Sequence, residues 1–440
     1  MRLAAFVCLL VAATTTARAQ APVATVPPAG PLTLQSAIEL GRSRGVQASL
    51  ARSAERIANA RVGQRRADLL PSLNAAATYQ RQTLNLDEFG IASFSGVTDP
   101  FDLFNVQVRA SQSIANPAAW LRLRAARDSA VAAGLDTRNA GALAGAAAGV
   151  AWLRVFAAEE TVRAREADSV TAVGLLDQSR RLLEAGVTAA IDLTRTEVTF
   201  GAFRSQLSVA RNARDRARLD LARALDLPPG VPIPIAAQSD SLGLPGFANA
   251  DSAVAYALRS RPDLAAETKR LAVLAEARKA IRAENLPSLG AGGYWQKSGR
   301  ELSDLRGTWQ IQLGVNIPIL DGFRRQYRSG EQAARIEAQE TRVRDLSSQI
   351  DADARQALLD LASAEDQVAI ARERQGLAEQ ELRQAQDRFS AGVAGSLETS
   401  NAQLSLTAAR DAAIQARVAW GVARVLALRA LGMIGPSEPR

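Results

Sequence analysis

The sequence predicts a mainly α-helical chain with a small β part, built from one unit used twice: helix, β-hairpin, very long helix, tight turn, helix. Three observations carry this. An internal repeat runs through the chain, the hydrophobic period changes from helical to two at the same place in each copy, and a heptad register then persists far beyond ordinary helix length.

Residues 1–19 read as a secretory signal peptide. Arg2 is followed by an apolar run from Leu3 to Ala13 and by the small-x-small site Ala17-Arg18-Ala19 before Gln20. The run is well short of the roughly 20 residues that span a bilayer. Cys8, the single cysteine, lies inside it, so the mature chain is expected to carry neither cysteine nor lipid. No apolar segment of membrane-spanning length is expected later, because Ala140 to Leu153 is mostly alanine and glycine and ends at Arg154.

A shift of 216 positions superposes Ser36-Ala37-Ile38 on Ser252-Ala253-Val254 and Leu70-Pro71-Ser72-Leu73 on Leu286-Pro287-Ser288-Leu289. A shift of 206 carries Ala185-Gly186-Val187 onto Ala391-Gly392-Val393 and Arg223-Ala224-Leu225 onto Arg429-Ala430-Leu431. The extra residues of the first copy fall between Leu86 and Phe101, which reads as an exposed loop. The copies are expected at 20–227 and 249–435, joined by a proline-rich linker at 228–248.

Within each copy, residues 34–68 and 250–284 are amphipathic and helix-forming, closed by Leu-Pro. Alternation follows. Trp309, Ile311, Leu313, Val315, Ile317 and Ile319 alternate with polar or small residues, and Phe104, Val106, Val108 and Ala110 do so in the first copy. Strands are expected at about 72–86, 103–115, 287–300 and 307–319, two hairpins in all. Asn116-Pro117 and Asp321-Gly322 restart helix. Counting by sevens from Ile336 gives Val343, Ile350, Ala357, Ala364, Ala371, Ala378 and Ala385, a seam for helix against helix. A helix from about 322 to 390 would be roughly 100 Å long. Tight turns are expected at 184–190 and 390–396.

Composition removes most enzyme chemistry. The 440 residues contain no His, so imidazole metal sites and Ser-His-Asp triads are excluded. Of the 53 basic residues only Lys269, Lys279 and Lys297 are lysine. The formal charge of +8 is therefore an arginine balance, and acids interleave with the arginines throughout, which argues against nucleic acid as partner. No cofactor, metal or catalytic residue is expected.

A strand with one apolar and one polar face suits a barrel wall between lipid and water. Four strands do not close such a wall. Their open edges need partners, because an unpaired backbone group in hydrocarbon costs several kcal/mol, so the barrel is expected to be shared among copies. Tyr79, Trp295 and Trp309 are candidates for the aromatic girdle at the lipid interface.

The whole pattern resembles the TolC-like outer membrane efflux proteins over about residues 32–433. The most specific pieces are Glu184-Ala185-Gly186-Val187 followed by Ile191-Asp192-Leu193, and Phe389-Ser390-Ala391-Gly392-Val393 followed by Leu397-Glu398-Thr399. The resemblance implies a homotrimer with a shared twelve-stranded β-barrel in the outer membrane and a periplasmic helical tunnel. It implies passive export of solutes, docking on a periplasmic adaptor (membrane fusion) protein, and an inner-membrane transporter of RND or ABC type. Ala185, Gly186, Val187, Ala391, Gly392 and Val393 become adaptor-docking tip turns. Asp192 and Glu398 become candidates for the tunnel constriction, with Asn401 where several relatives carry a second acid. Two other readings stay open: the outer-membrane component of type I protein secretion, and a periplasmic coiled-coil adaptor or scaffold.

Overall fold

Each half of the chain begins with a capped helix. Thr33 Oγ1 accepts from the Ser36 N–H at 3.1 Å while Ser36 Oγ accepts from the Thr33 N–H at 2.9 Å, and Asn249 and Ser252 repeat this capping box. The computed structural model describes residues 30–89, 96–236, 243, 246–247, 249–391 and 393–435. The expected signal peptide, part of the 86–101 loop, part of the linker and Gly392 lie outside the described residues.

In chain order the elements are α1 (Leu34–Arg44), α2 (Val46–Ala67), β1 (Ser72–Gln82), β2 (Phe101–Ala115), α3 (Pro117–Glu184), α4 (Ala190–Ala224), α5 (Ala250–Ser260), α6 (Pro262–Ala283), β3 (Ser288–Gly299), β4 (Arg306–Asn316), α7 (Arg324–Ser390) and α8 (Ser396–Ala430). The second half repeats the first, with helices of 11, 22, 67 and 35 residues against 11, 22, 68 and 35. At about 1.5 Å per residue, α3 and α7 are each roughly 100 Å long.

The heptad seam of α7 is covered by its own chain. Ala378, Leu382 and Ala385 pack on Ala402, Leu406 and Ala409 of α8, then Ala371 meets Ala413 and Ala416, and Ala357 meets Ala427 and Ala430. Alanine lets the two backbones approach closely, so the antiparallel hairpin is narrow. The largest core lies where α1, α3, α4 and α8 meet. Trp152 is fully buried there and its indole N–H donates to the Leu32 carbonyl at 2.7 Å. Gly41 is required at this crossing, because an added Cβ would collide with Ala148 and with the Ala144 carbonyl.

One expectation needs correcting. α3 contains a stretch long and apolar enough, by length and composition, to cross a membrane. Of that stretch 61% is buried inside the chain, against the helices just named, which accounts for its apolarity.

The four strands form one antiparallel sheet in the order β1-β2-β3-β4, with the two halves joined between β2 and β3. Three strand boundaries differ from the expected ones. β1 stops at Gln82 rather than near 86, and β2 starts at Phe101. β4 stops at Asn316 rather than 319, since Pro318 has no N–H to continue a ladder.

Candidate functional site

At the end of α3 the backbone turns through a Schellman motif. Gly186 has φ +70°, its N–H donates to the Leu183 carbonyl at 3.0 Å, and the Val187 N–H donates to the Leu182 carbonyl at 2.9 Å. A glycine at this position avoids the Cβ penalty of left-handed backbone. At the end of α7 the Val393 N–H donates likewise to the Arg388 carbonyl at 3.0 Å, five residues back. Ala185 and Ala391 cap the two helices and are exposed. Val187 and Val393 are 60% and 67% exposed, so each tip presents one apolar side chain beside its turn.

Asp192 and Glu398 occupy equivalent first-turn positions of α4 and α8, where the helix dipole favours a carboxylate. Their surroundings differ. Asp192 accepts from the Ser396 hydroxyl at 2.5 Å and from Thr188 at 2.9 Å, with Arg195 at 3.7 Å. The Ser396 hydroxyl holds the Asp192 carboxyl below the ordinary aspartate range; partial burial opposes this, and Thr188 and Arg195 reinforce it. Glu398 is exposed and pairs with Arg388 at 3.0 Å. Asn401 is exposed one turn further along α8.

Above the tips the two hairpins are joined by a buried ionic cluster. Asp168, 1% exposed, accepts from Arg165 at 3.1 Å, Thr407 at 3.1 Å and Arg410 at 2.8 Å. Arg165 also pairs with Asp411, and Gln403 donates to the Asp168 carbonyl at 3.0 Å. Neither this cluster nor Ser396 was among the expected residues. Their trace in the sequence is Arg165 and Asp168 standing in an otherwise apolar stripe with Ala172, Leu175 and Leu176.

At the other end of the molecule, Trp309, Ile311, Leu313 and Val315 project from one face of β4 and are 63–77% exposed. The register places Ala75, Val108, Trp295 and Trp309 in one row across the sheet, and Tyr79 beside Phe104 in another. The rows lie four residues apart on β2, roughly 13 Å, so all three expected aromatics share the apolar face toward the end distal to the helices. Tyr79 Oη donates to Asp102 at 2.8 Å, at the polar margin of that face. The opposite face carries Asn105, Gln107, Arg109, Gln296, Gln310 and Gln312, with Gln107 and Gln296 hydrogen-bonded at 3.3 Å. Among the described residues no group of three or more metal-ligating side chains is assembled.

A four-stranded sheet with one apolar face, mounted on helical hairpins roughly 100 Å long, defines a channel protomer of the outer-membrane kind. The chain belongs to the outer membrane efflux protein family, whose model matches residues 38–226 and 254–432. Its place is the outer membrane, and the family is one of channels rather than enzymes. Solved structures share the fold. The CmeC outer membrane channel of Campylobacter jejuni has a TM-score of 0.78 at 16% identity, over 92% of this chain and 87% of that one. The open state of the MtrE outer membrane channel of Neisseria gonorrhoeae has a TM-score of 0.74 at 21% identity, over 91% and 88%. The outer membrane protein VceC of Vibrio cholerae has a TM-score of 0.76 at 15% identity, over 92% and 97%. Among curated proteins no sequence match is found.

Proposed function

We propose that three copies of this chain pool their strands into one twelve-stranded barrel and form the passive exit duct of a tripartite efflux system. The observation that carries this is the sheet itself: β1 and β4 do not pair with each other, so two edges of an apolar-faced sheet stay open in a single chain. In hydrocarbon those edges need strands from other copies, and the polar face with Gln107, Gln296 and Gln310 then lines a water-filled lumen. The hairpins of the three copies would continue the lumen as a periplasmic tunnel.

The tip turns at Ala185-Gly186-Val187 and Ala391-Gly392-Val393 are our candidates for docking a periplasmic adaptor, which would link the duct to an inner-membrane transporter of RND or ABC type. Exposure of Val187 and Val393 supports this. Asp192, Glu398 and Asn401 are proposed to surround the tunnel constriction, and Tyr79, Trp295 and Trp309 to mark the lipid interface.

Light scattering of the detergent-solubilised protein, followed by planar-bilayer recording, tests the proposal. A trimer with ohmic conductance is expected. A folded monomer that stays dispersed without detergent would overturn it.

A further inference from the structure

Where α1, α2, α3, the α5–α6 elbow and the end of α8 meet, they border an open cavity of about 480 Å³. Arg42, Arg52, Arg138, Arg259, Arg261 and Arg429 line it, against the single carboxylate of Asp263. Two of these arginines are neutralised. Arg42 pairs with Glu39, and Arg261 bridges Asp263 at 2.7 Å and Asp353 at 2.9 Å.

The other four have no carboxylate partner among the described residues. Arg52 donates to the Ser43 carbonyl at 2.6 Å and the Ser49 hydroxyl at 2.8 Å, and Arg259 donates to the Ala255 carbonyl at 3.0 Å. Arg138 and Arg429 have no polar partner at all among those residues. Several arginines of the long helices are matched with acids, as Arg165 is with Asp168 and Asp411. Here four exposed arginines from four helices border one open space, where an anion could accept from several of them at once.

The wall that carries them is braced. Ser260 Oγ lies 2.6 Å from the Leu431 carbonyl, and Gly432, with φ +72°, approaches so closely that a Cβ would sit 2.8 Å from the same hydroxyl. The end of α8, with Arg429, is thereby held against the elbow that bears Arg259 and Arg261. The brace thus fixes the helix ends that carry these side chains relative to one another.

We propose that this cavity binds a soluble, multiply charged oxyanion of the phosphate type. Donors converging from four helices match oxygens disposed tetrahedrally better than the single plane of a carboxylate. Arg138 follows Pro117 by 21 residues, roughly 30 Å of helix below the strands, which puts the cavity beyond reach of lipid headgroups.

Calorimetric titration of the full-length detergent-solubilised protein with tripolyphosphate at fixed ionic strength, with citrate as a carboxylate counterpart, is the test. Expected are saturable tripolyphosphate binding, weaker citrate binding, and at least about a tenfold loss of tripolyphosphate affinity in Arg138→Gln/Arg429→Gln. Arg180→Gln/Arg211→Gln removes the same charge from the tip hairpins and is expected to bind like the unaltered protein. If the first pair fails to assemble, Arg259→Gln takes its place with the same expectation. No saturation by roughly 10 mM, equal losses in the pocket and tip variants, or citrate binding as tight as tripolyphosphate would each overturn the assignment.

Discussion

Ser396 donates its hydroxyl proton to Asp192 across 2.5 Å and so ties the first turn of α8 to the first turn of α4, two helices that leave different tips. The two residues are 204 positions apart in the chain. Among the described residues, this bond and the Asp168 cluster above it link the two hairpins through polar groups near their ends.

Asp192→Asn removes the charge from the bonds with Ser396 and Thr188, at a cost of roughly 1–2 kcal/mol in local stability. The folded-state pKa of Asp192 lies below its unfolded value near 3.9, so the bond's contribution is fully present above that value and is lost as pH falls through the folded one. Amide protection factors in the first turns of α4 and α8, with the intrinsic pH dependence of exchange divided out, are expected to be flat above about pH 5 and to fall below about pH 4. In the Asn variant this acid-induced step disappears.

Gly186→Val forces a β-branched residue into left-handed backbone, a local strain of about 1–3 kcal/mol. An added Cβ meets nothing within 4 Å, so the rest of the fold is unaffected. Combined with Gly392→Val, the substitution is expected to abolish export in cells while leaving the detergent-solubilised oligomer intact on a native gel. Normal export by that variant would remove the tips from adaptor docking.

Asp168→Ala leaves Arg410 without its carboxylate and the buried Arg165 with only the more exposed Asp411, and is expected to destabilise by about 3 kcal/mol in urea unfolding. Replacing Asp168, Arg165 and Arg410 together by apolar residues of similar volume should cost far less, because no buried charge is then left unpaired.

Neutralising Asp192 and Glu398 together is expected to reduce cation preference in planar-bilayer reversal potentials. Glu398→Gln alone should account for most of the change, since the Glu398 side chain is 46% exposed and that of Asp192 only 16%. An unaltered reversal potential in the double variant would take both carboxylates out of the constriction.

Much of the fold was legible in the sequence. The switch from helical period to period two marks the strands, and the alternation of Trp309, Ile311, Leu313 and Val315 with Gln310 and Gln312 states which face of β4 is apolar. Its end was not legible from alternation alone: Ile317 and Ile319 keep the pattern, yet Pro318 breaks the ladder and β4 stops at Asn316. At the tips, Asp192 could be read as a first-turn acid after a turn, but its attachment to Ser396 could not, because a single hydroxyl leaves no periodic trace.

By itself, then, the amino-acid order determined the duplicated unit, the long alanine seam and the apolar strand face, since each is a local periodicity that any neighbour would respect. Only the tertiary structure decided what covers each face. An alanine row packs equally well on any helix of matching spacing, and it is the short turn after Ser390 that returns α8 of the same chain to α7. The same folding brings Arg52, Arg138, Arg259 and Arg429, far apart in sequence, to the rim of one cavity.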